Sequence, residues 1–131
     1  MKFSIEKTSN EWKELLGIER FKILREKGTE YPNTGKYNLH FEEGTYCCGG
    51  CGENLFESDS KFKSHCGWPS FDEAIPNKIK YIEDISFGMS RIEIICTTCG
   101  GHLGHVFEDG PTKTGIRFCV NSLSIDFVKK L

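Results

Sequence analysis

The sequence IRFCVNSLSIDF, residues 116–127, holds two alternating apolar runs from which the fold can be worked out. In the first run the apolar residues take even positions, so a strand there turns Arg117, Cys119 and Asn121 to its opposite face. In the second run the apolar residues take odd positions, and a one-residue shift moves every side chain to the other face of a sheet. We therefore predict two strands with a bulge or bend around Asn121 and Ser122.

The face that carries Cys119 has the residue types of a nucleophilic site. A cation such as Arg117 favours the thiolate of a neighbouring cysteine, which is the form that attacks electrophiles. The amide of Asn121 can orient the thiolate or its target. A single cysteine in a strand is also often a small buried apolar residue. The predicted bulge favours the nucleophile, because bulges often lie beside active sites.

Short alternating segments from residue 37 onward predict an antiparallel β core. In residues 90–95, two isoleucines face one way while Arg91 and Glu93 face the other. Fourteen glycines and ten phenylalanines are typical of a β domain that is rich in turns. The sequence therefore predicts a mainly β fold.

Two short helices are predicted before this core. The capping-box sequence TSNE, residues 8–11, predicts a helix that ends at Gly17, and a second helix is predicted over residues 18–27. The chain of 131 residues has the size of one domain. We expect residues 1–28 to form an N-terminal helical segment packed on a β core of residues 37–128.

Composition excludes several classes of protein. The net charge of −2 lacks the basic surface expected of a nucleic-acid-binding protein. No run approaches the roughly 18 apolar residues of a membrane span, and charges interrupt the first residues, so no secretory signal is predicted. We expect a soluble, cytoplasmic protein. In a reducing compartment its seven cysteines indicate metal binding or redox chemistry.

Four of the cysteines lie in two segments of the form C-x-x-C-G-x-x-L, residues 48–55 and 96–103, which we call knuckles. Two residues between cysteines let both thiolates turn toward one ion, and four thiolates suit tetrahedral Zn²⁺. We predict one structural zinc ion, bound by Cys48, Cys51, Cys96 and Cys99. A thioredoxin-like redox motif and an iron–sulfur site are the alternatives for these cysteines.

Of the remaining cysteines, Cys66 lies in the sequence HCGWPSF, residues 65–71, where glycine and proline predict an irregular loop. A thiol in a loop beside the indole of Trp68 is a candidate second redox cysteine. Trp68 could equally be an anchor of the core. Cys47 adjoins a predicted metal ligand, and we expect it to be a buried bystander.

The second knuckle leads into HLGHVFEDGP, residues 102–111. His102 and His105 flank a glycine in this segment, so both rings could be directed at one point. Imidazole is the usual proton donor near neutral pH. Two histidines lie here, close to Asp109 and to the predicted nucleophile. The pattern therefore favours a catalytic function and a structural function equally.

Three segments together closely resemble the methionine-R-sulfoxide reductase family, MsrB. They are CGWPSF (66–71), HLGHVF with DGP (102–107 and 109–111) and RFCVNS (117–122). The paired knuckles match the zinc-containing members, and Gly28-Thr29-Glu30 followed by Thr34-Gly35 resembles an early motif of the family. The resemblance covers nearly the whole chain. One departure is Phe118, where the family commonly has tyrosine.

The resemblance implies two antiparallel sheets in a β-tent-like arrangement with N-terminal helices. It also implies a thiol-dependent reductase of methionine-R-sulfoxide in oxidised proteins and peptides. Cys119 would be the nucleophile and Cys66 the resolving cysteine, with Trp68 and Phe107 binding the substrate. Five residues would complete the catalytic site: His102, His105, Asp109, Arg117 and Asn121.

By the same resemblance, Cys119 becomes a sulfenic acid and then a disulfide with Cys66, which thioredoxin reduces. We expect a monomer. Two other functions fit part of the sequence. A zinc-ribbon binding module would explain the knuckles but would leave Cys66, Cys119 and the histidines without a function. A thiol peroxidase would use both cysteines but has little use for an aromatic pocket at Trp68.

Overall fold

The computed structural model describes residues 3–131, and this range contains two helices and nine strands. The helices are α1 (Ser9–Leu16) and α2 (Ile18–Leu24). The strands are β1 (Gly44–Cys48), β2 (Asn54–Glu57), β3 (Lys61–Phe62), β4 (Ser70–Phe71), β5 (Ile79–Asp84), β6 (Arg91–Cys96), β7 (His102–Phe107), β8 (Arg117–Val120) and β9 (Ile125–Lys129). The prediction of a mainly β fold with N-terminal helices is confirmed.

The helix boundaries follow local signals, with one correction. The Thr8 side chain accepts the Glu11 N–H, and the Glu11 carboxylate accepts the Thr8 N–H, so the predicted capping box is present. Gly17 ends α1 with φ 81°. The prediction of a second helix as far as residue 27 is wrong, because α2 ends at Leu24. Lys27 has φ 56°, a left-handed conformation that a helix cannot continue through.

The strands form two antiparallel sheets, as predicted. The small sheet has the order β2-β1-β9, and the large sheet has the order β3-β4-β8-β7-β6-β5. A turn of 3₁₀ helix, Ser122–Ser124, takes the chain from β8 in the large sheet to β9 in the small one. The shift in apolar positions along residues 116–127 therefore marks a change of sheet, and the predicted bend is confirmed.

The core lies between the sheets and continues under the helices. Phe56 of β2 stacks on Phe71 of β4, with ring centroids 4.3 Å apart. Phe21 and Leu24 of α2 belong to the same buried cluster as these rings. Removing one such phenylalanine side chain typically costs about 3–5 kcal/mol. Within residues 3–131, no helix has the length and apolarity that crossing a membrane requires.

A bulge in β7 sets the face on which its histidines lie. Gly104 and His102 lie opposite successive residues of β6, so Leu103 between them has no partner in β6. An extra residue in a strand reverses the alternation of side chains beyond it. His102 and His105, an odd number of positions apart, therefore share one face of the large sheet.

Candidate active site

A cavity of about 190 Å³ opens beside Cys119. Seven of the residues that the sequence singles out line it: Cys66, Trp68, His105, Phe107, Arg117, Cys119 and Asn121. The remaining lining residues are Thr29, Arg91, Gly104 and Val120. His102 and Asp109 do not line the cavity but bond to residues at or near its wall. The fold thus brings together residues from five separate parts of the sequence.

The two candidate redox sulfurs are neighbours in this cavity. Cys66 Sγ lies 3.9 Å from Cys119 Sγ, although 53 positions separate them in sequence. Two features hold Cys66 there: Ser70 of β4 pairs with Cys119, and the Gly67 carbonyl accepts a 2.8 Å hydrogen bond from the Asn33 N–H. A disulfide needs sulfurs about 2.05 Å apart, so a small movement of the Cys66 loop would allow the bond.

The pair of sulfurs shares a negative charge. The hydrogen bond with Cys119 lowers the pKa of Cys66 to about 4. The same contact, with burial, raises the pKa of Cys119 well above its usual range, while Arg117 acts in the opposite direction. The pair therefore loses its first proton far below neutral pH. As expected, Arg117 acts to lower the pKa of Cys119, but the contact with Cys66 raises this pKa by more.

The guanidinium of Arg117 is fixed from two sides. Asp109 accepts hydrogen bonds from Arg117 Nε and Nη2 at 2.9 and 3.1 Å, in the bidentate geometry that favours arginine with a carboxylate. The guanidinium carbon also lies 4.5 Å from the centroid of the Phe107 ring. The bond to Asp109 raises the pKa of Arg117. A permanent positive charge is thus held at the cavity.

Asn121 connects three parts of the site through hydrogen bonds. Its Oδ1 accepts the Glu30 N–H at 3.0 Å, and its Nδ2 donates to the Leu103 carbonyl at 3.2 Å. The Asn121 N–H donates to the same carbonyl at 2.9 Å. The bulge in β7 is therefore held by Asn121, which is 3% exposed.

Trp68 lies at the wall of the cavity and is half-buried. Its Nε1 donates a 3.0 Å hydrogen bond to the Glu30 carbonyl, which fixes the plane of the indole. The tryptophan in the core of the described chain is Trp12, at 2% exposure. Trp68 is thus placed to present an apolar face to a ligand.

The two histidines differ in exposure. His105 lies directly across from Cys119 in the β7–β8 pairing, and its Nε2 is 2.7 Å from Asp84 Oδ2. His102 is buried, and its Nδ1 is 2.7 Å from Glu93 Oε2. The two ring centroids are 5.7 Å apart. Only His105 is in a position to touch a molecule in the cavity.

The four knuckle cysteines meet at a second site, and none of them lines the cavity. All four sulfurs lie within 4.8 Å of one another, and the Cys48–Cys99 and Cys51–Cys96 distances are each 3.6 Å. These distances are far longer than a disulfide. A tetrahedral ion with bonds of about 2.3 Å to sulfur would separate the sulfurs by about 3.8 Å. The cluster thus fits a four-coordinate metal ion.

A family model described as the SelR domain matches residues 16–129, which is most of the chain. The chain belongs to the SelR domain family.

Relatives of this SelR-family chain carry the name peptide methionine sulfoxide reductase MsrB. The protein from Variovorax paradoxus is 56% identical over 96% of this chain and 97% of its own length. The protein from Methanosarcina barkeri is 50% identical over 95% of this chain and 88% of its own. That from Leptospira interrogans is 47% identical over 99% and 100%, respectively. The match to the MsrB family is confirmed.

Sequence reasoning missed two carboxylates of this SelR domain. Asp84 ends β5 and Glu93 lies in β6, and each meets one histidine of β7. Lys27 Nζ is also 3.2 Å from Glu93 Oε1. Glu93 alternates with the isoleucines of β6, so its face was predictable, but its partner depends on the bulge in β7. No local sequence pattern marks Asp84 as a site residue, because only the pairing of β5 with β6 and of β6 with β7 brings it near His105.

In this SelR-family protein, we expect the Cys66–Cys119 pair to stay reactive toward iodoacetamide as the pH falls from about 8 to about 6. The reason is that the pKa of Cys66 is lowered to about 4. Burial raises the pKa of Cys47, so its alkylation should fall about tenfold per pH unit. Mass spectrometry of each cysteine measures both rates. Equal pH dependence for the pair and for Cys47 would contradict the shared charge.

Proposed function

We propose that this protein reduces methionine-(R)-sulfoxide in oxidised proteins and peptides to methionine. Membership of the SelR family and the names of its relatives support this reaction. The observation that carries the proposal is the 3.9 Å contact between the Cys66 and Cys119 sulfurs in a cavity walled by an indole and an imidazole. A thiol pair can supply two electrons to a sulfoxide and then be recycled.

The cavity suits one methionine sulfoxide side chain. Its volume of about 190 Å³ is small, and Trp68 and Phe107 supply apolar surface on its wall. We propose that these rings hold the methyl group of the substrate, which leaves the sulfur facing Cys119. Because Trp68 is tied to the Glu30 carbonyl, its ring does not have to be ordered when the substrate binds.

The reaction begins with attack of the Cys119 thiolate on the sulfoxide sulfur. The sulfoxide oxygen gains negative charge as the new bond forms, so it requires a proton or strong hydrogen bonds. His105 is the donor that we propose, since it lies opposite Cys119 and lines the cavity. The oxygen ends on Cys119 as a sulfenic acid, and methionine leaves.

Three further residues support these groups. Asp109 fixes Arg117. The positive charge of Arg117 favours a thiolate on Cys119 when the negative charge of the Cys66–Cys119 pair lies on that sulfur. His102 packs against the His105 ring, and Asn121 holds the bulge that turns both histidines to one face. We propose that these residues act on the reaction through the neighbours they hold.

Cys66 is the proposed resolving cysteine. Its thiol would condense with the Cys119 sulfenic acid, forming a disulfide and releasing water. An external dithiol then reduces this disulfide by exchange, and we propose thioredoxin as that reductant. Such recycling needs a reducing compartment, so we propose the cytoplasm. We propose that the protein acts as a monomer.

We propose that the four-cysteine cluster holds one structural Zn²⁺ ion. Four thiolates leave no open position on a tetrahedral ion, so the site would stabilise the fold and take no part in the reaction. With such an ion, Cys48 at the end of β1 and Cys96 at the end of β6 would be held together. This link would stabilise the two sheets that carry the cavity.

The Cys66→Ser variant tests both cysteine assignments. We expect it to convert one equivalent of peptide methionine-R-sulfoxide per protein and then to stop when thioredoxin is the reductant. A sulfenic acid should accumulate on Cys119, where dimedone labelling and mass spectrometry detect it. Cys47→Ser is the matched control and should recycle as the wild type does. Unchanged thioredoxin-supported turnover in Cys66→Ser would remove the resolving function from Cys66.

A further inference from the structure

Two neighbouring strands each present one carboxylate to one histidine, but to different ring nitrogens. Asp84 of β5 meets Nε2 of His105, and Glu93 of β6 meets Nδ1 of His102, both at 2.7 Å. Each carboxylate side chain is only 5% exposed. Within residues 3–131, His105 makes no ring hydrogen bond other than that to Asp84. His105 lines the cavity, and its Nδ1 has no hydrogen-bond partner among these residues.

Asp84 is held as an ionised acceptor. Its Oδ1 accepts the Ser86 N–H at 3.0 Å, and Arg91 Nη2 lies 3.6 Å from its Oδ2. The hydrogen bond with His105, followed by those with Ser86, keeps the pKa of Asp84 well below its usual range. An ionised carboxylate only accepts hydrogen bonds, so the ring nitrogen that faces it must carry the proton.

We propose that Asp84 is a positioning residue that fixes His105 as the Nε2-protonated tautomer, with Nδ1 free for a ligand beside Cys119. A histidine orients its two nitrogens according to the partner of one of them. In the neutral ring Nδ1 accepts a hydrogen bond, and in the protonated ring it donates one to the ligand oxygen. The catalytic consequence rests on the proposed reductase function, whereas the tautomer does not.

The tautomer can be read directly in the wild-type protein. Nitrogen-15 NMR of labelled histidine reports which ring nitrogen carries the proton in the neutral form. We expect Nε2–H for His105, and an Nδ1–H tautomer would overturn the proposal. This measurement needs no turnover, so an inactive protein that shows the expected tautomer would refute the reductase function and leave the positioning role standing.

Several groups near His105 affect its pKa in a pH titration by the same NMR method. The charged or titratable groups facing His105 from the packed strands and loop are Asp84, Arg91, Glu93, His102, Arg117, Cys119 and Cys66. Burial lowers the pKa of His105, and the bond to Asp84 offsets part of this effect. Removing the Asp84 charge should therefore lower the pKa of His105 further.

Asp84→Asn separates this effect from a general loss of structure. We expect a lower His105 pKa and a fall in kcat of about 100-fold, the low end of the 10²- to 10⁴-fold that a positioned acid typically contributes. Glu83→Gln removes the same charge from the neighbouring, exposed position of β5 and should change neither quantity. An unchanged His105 pKa and kcat in folded Asp84→Asn would overturn the proposal. If Asp84→Asn does not fold, the wild-type tautomer decides.

Discussion

Replacing Cys119 by serine is expected to lower kcat by at least about 10³-fold. The hydroxyl of serine has no appreciable ionised fraction near neutral pH. It also cannot take up the sulfoxide oxygen in the way that a cysteine does when it becomes a sulfenic acid. The side chain keeps nearly the same size, so binding should be retained. Methionine formation from a peptide sulfoxide, with dithiothreitol as reductant, measures the loss.

Cys47→Ser provides the matched control for that variant. It makes the same chemical change in β1, where the Cys47 thiol donates to the Asp126 carbonyl at 3.7 Å and does not line the cavity. Its kcat should stay close to that of the wild type. Comparable losses in the two variants would show that the effect of Cys119→Ser is on folding, and retained activity in Cys119→Ser would rule out Cys119 as the nucleophile.

Replacing Cys96 by serine is expected to lower the free energy of unfolding by more than about 4 kcal/mol, which is the range of the few severe single substitutions. Cys96 is fully buried and lies 3.6 Å from Cys51 in the four-sulfur cluster. Losing one ligand of the proposed zinc site would weaken the connection between β1 and β6, and a domain has a free energy of unfolding of only about 5–15 kcal/mol in total. Urea unfolding of the wild type, Cys96→Ser and Cys47→Ser measures the difference.

Metal analysis completes this test. Purified wild-type protein should carry about one zinc ion per chain, and a strong chelator should lower its unfolding midpoint as Cys96→Ser does. Cys47→Ser, one position from Cys48, should keep its zinc. A metal-free protein with an unchanged unfolding midpoint would contradict a structural zinc site.

Local patterns predicted an antiparallel β core, because the alternation of residues in each strand reflects its exposed and buried faces. The change of parity along residues 116–127 marked the move from the large sheet to the small one. The two knuckles likewise indicated a shared cluster, because four thiols in matched turns suit one ion. The length of α2 was not predictable, since it depends on the left-handed backbone at Lys27.

The histidines show why part of the site could not be predicted. By simple alternation His102 and His105 would lie on opposite faces of β7, and only the bulge at Leu103 brings them together. That bulge is held by Asn121, which lies 18 positions further along the chain. Asp84 joins the site through the pairing of β5 with β6 and β7. Such contacts depend on which strands are neighbours, which short sequence patterns do not record.

The most direct test of the proposed function is to follow each epimer of methionine sulfoxide separately. Wild-type protein is mixed with dithiothreitol and a short peptide that contains both epimers, and chiral chromatography measures each one over time. We expect consumption of the R epimer alone. If folded, zinc-loaded protein consumes neither epimer, or consumes the S epimer instead, the proposed function is contradicted.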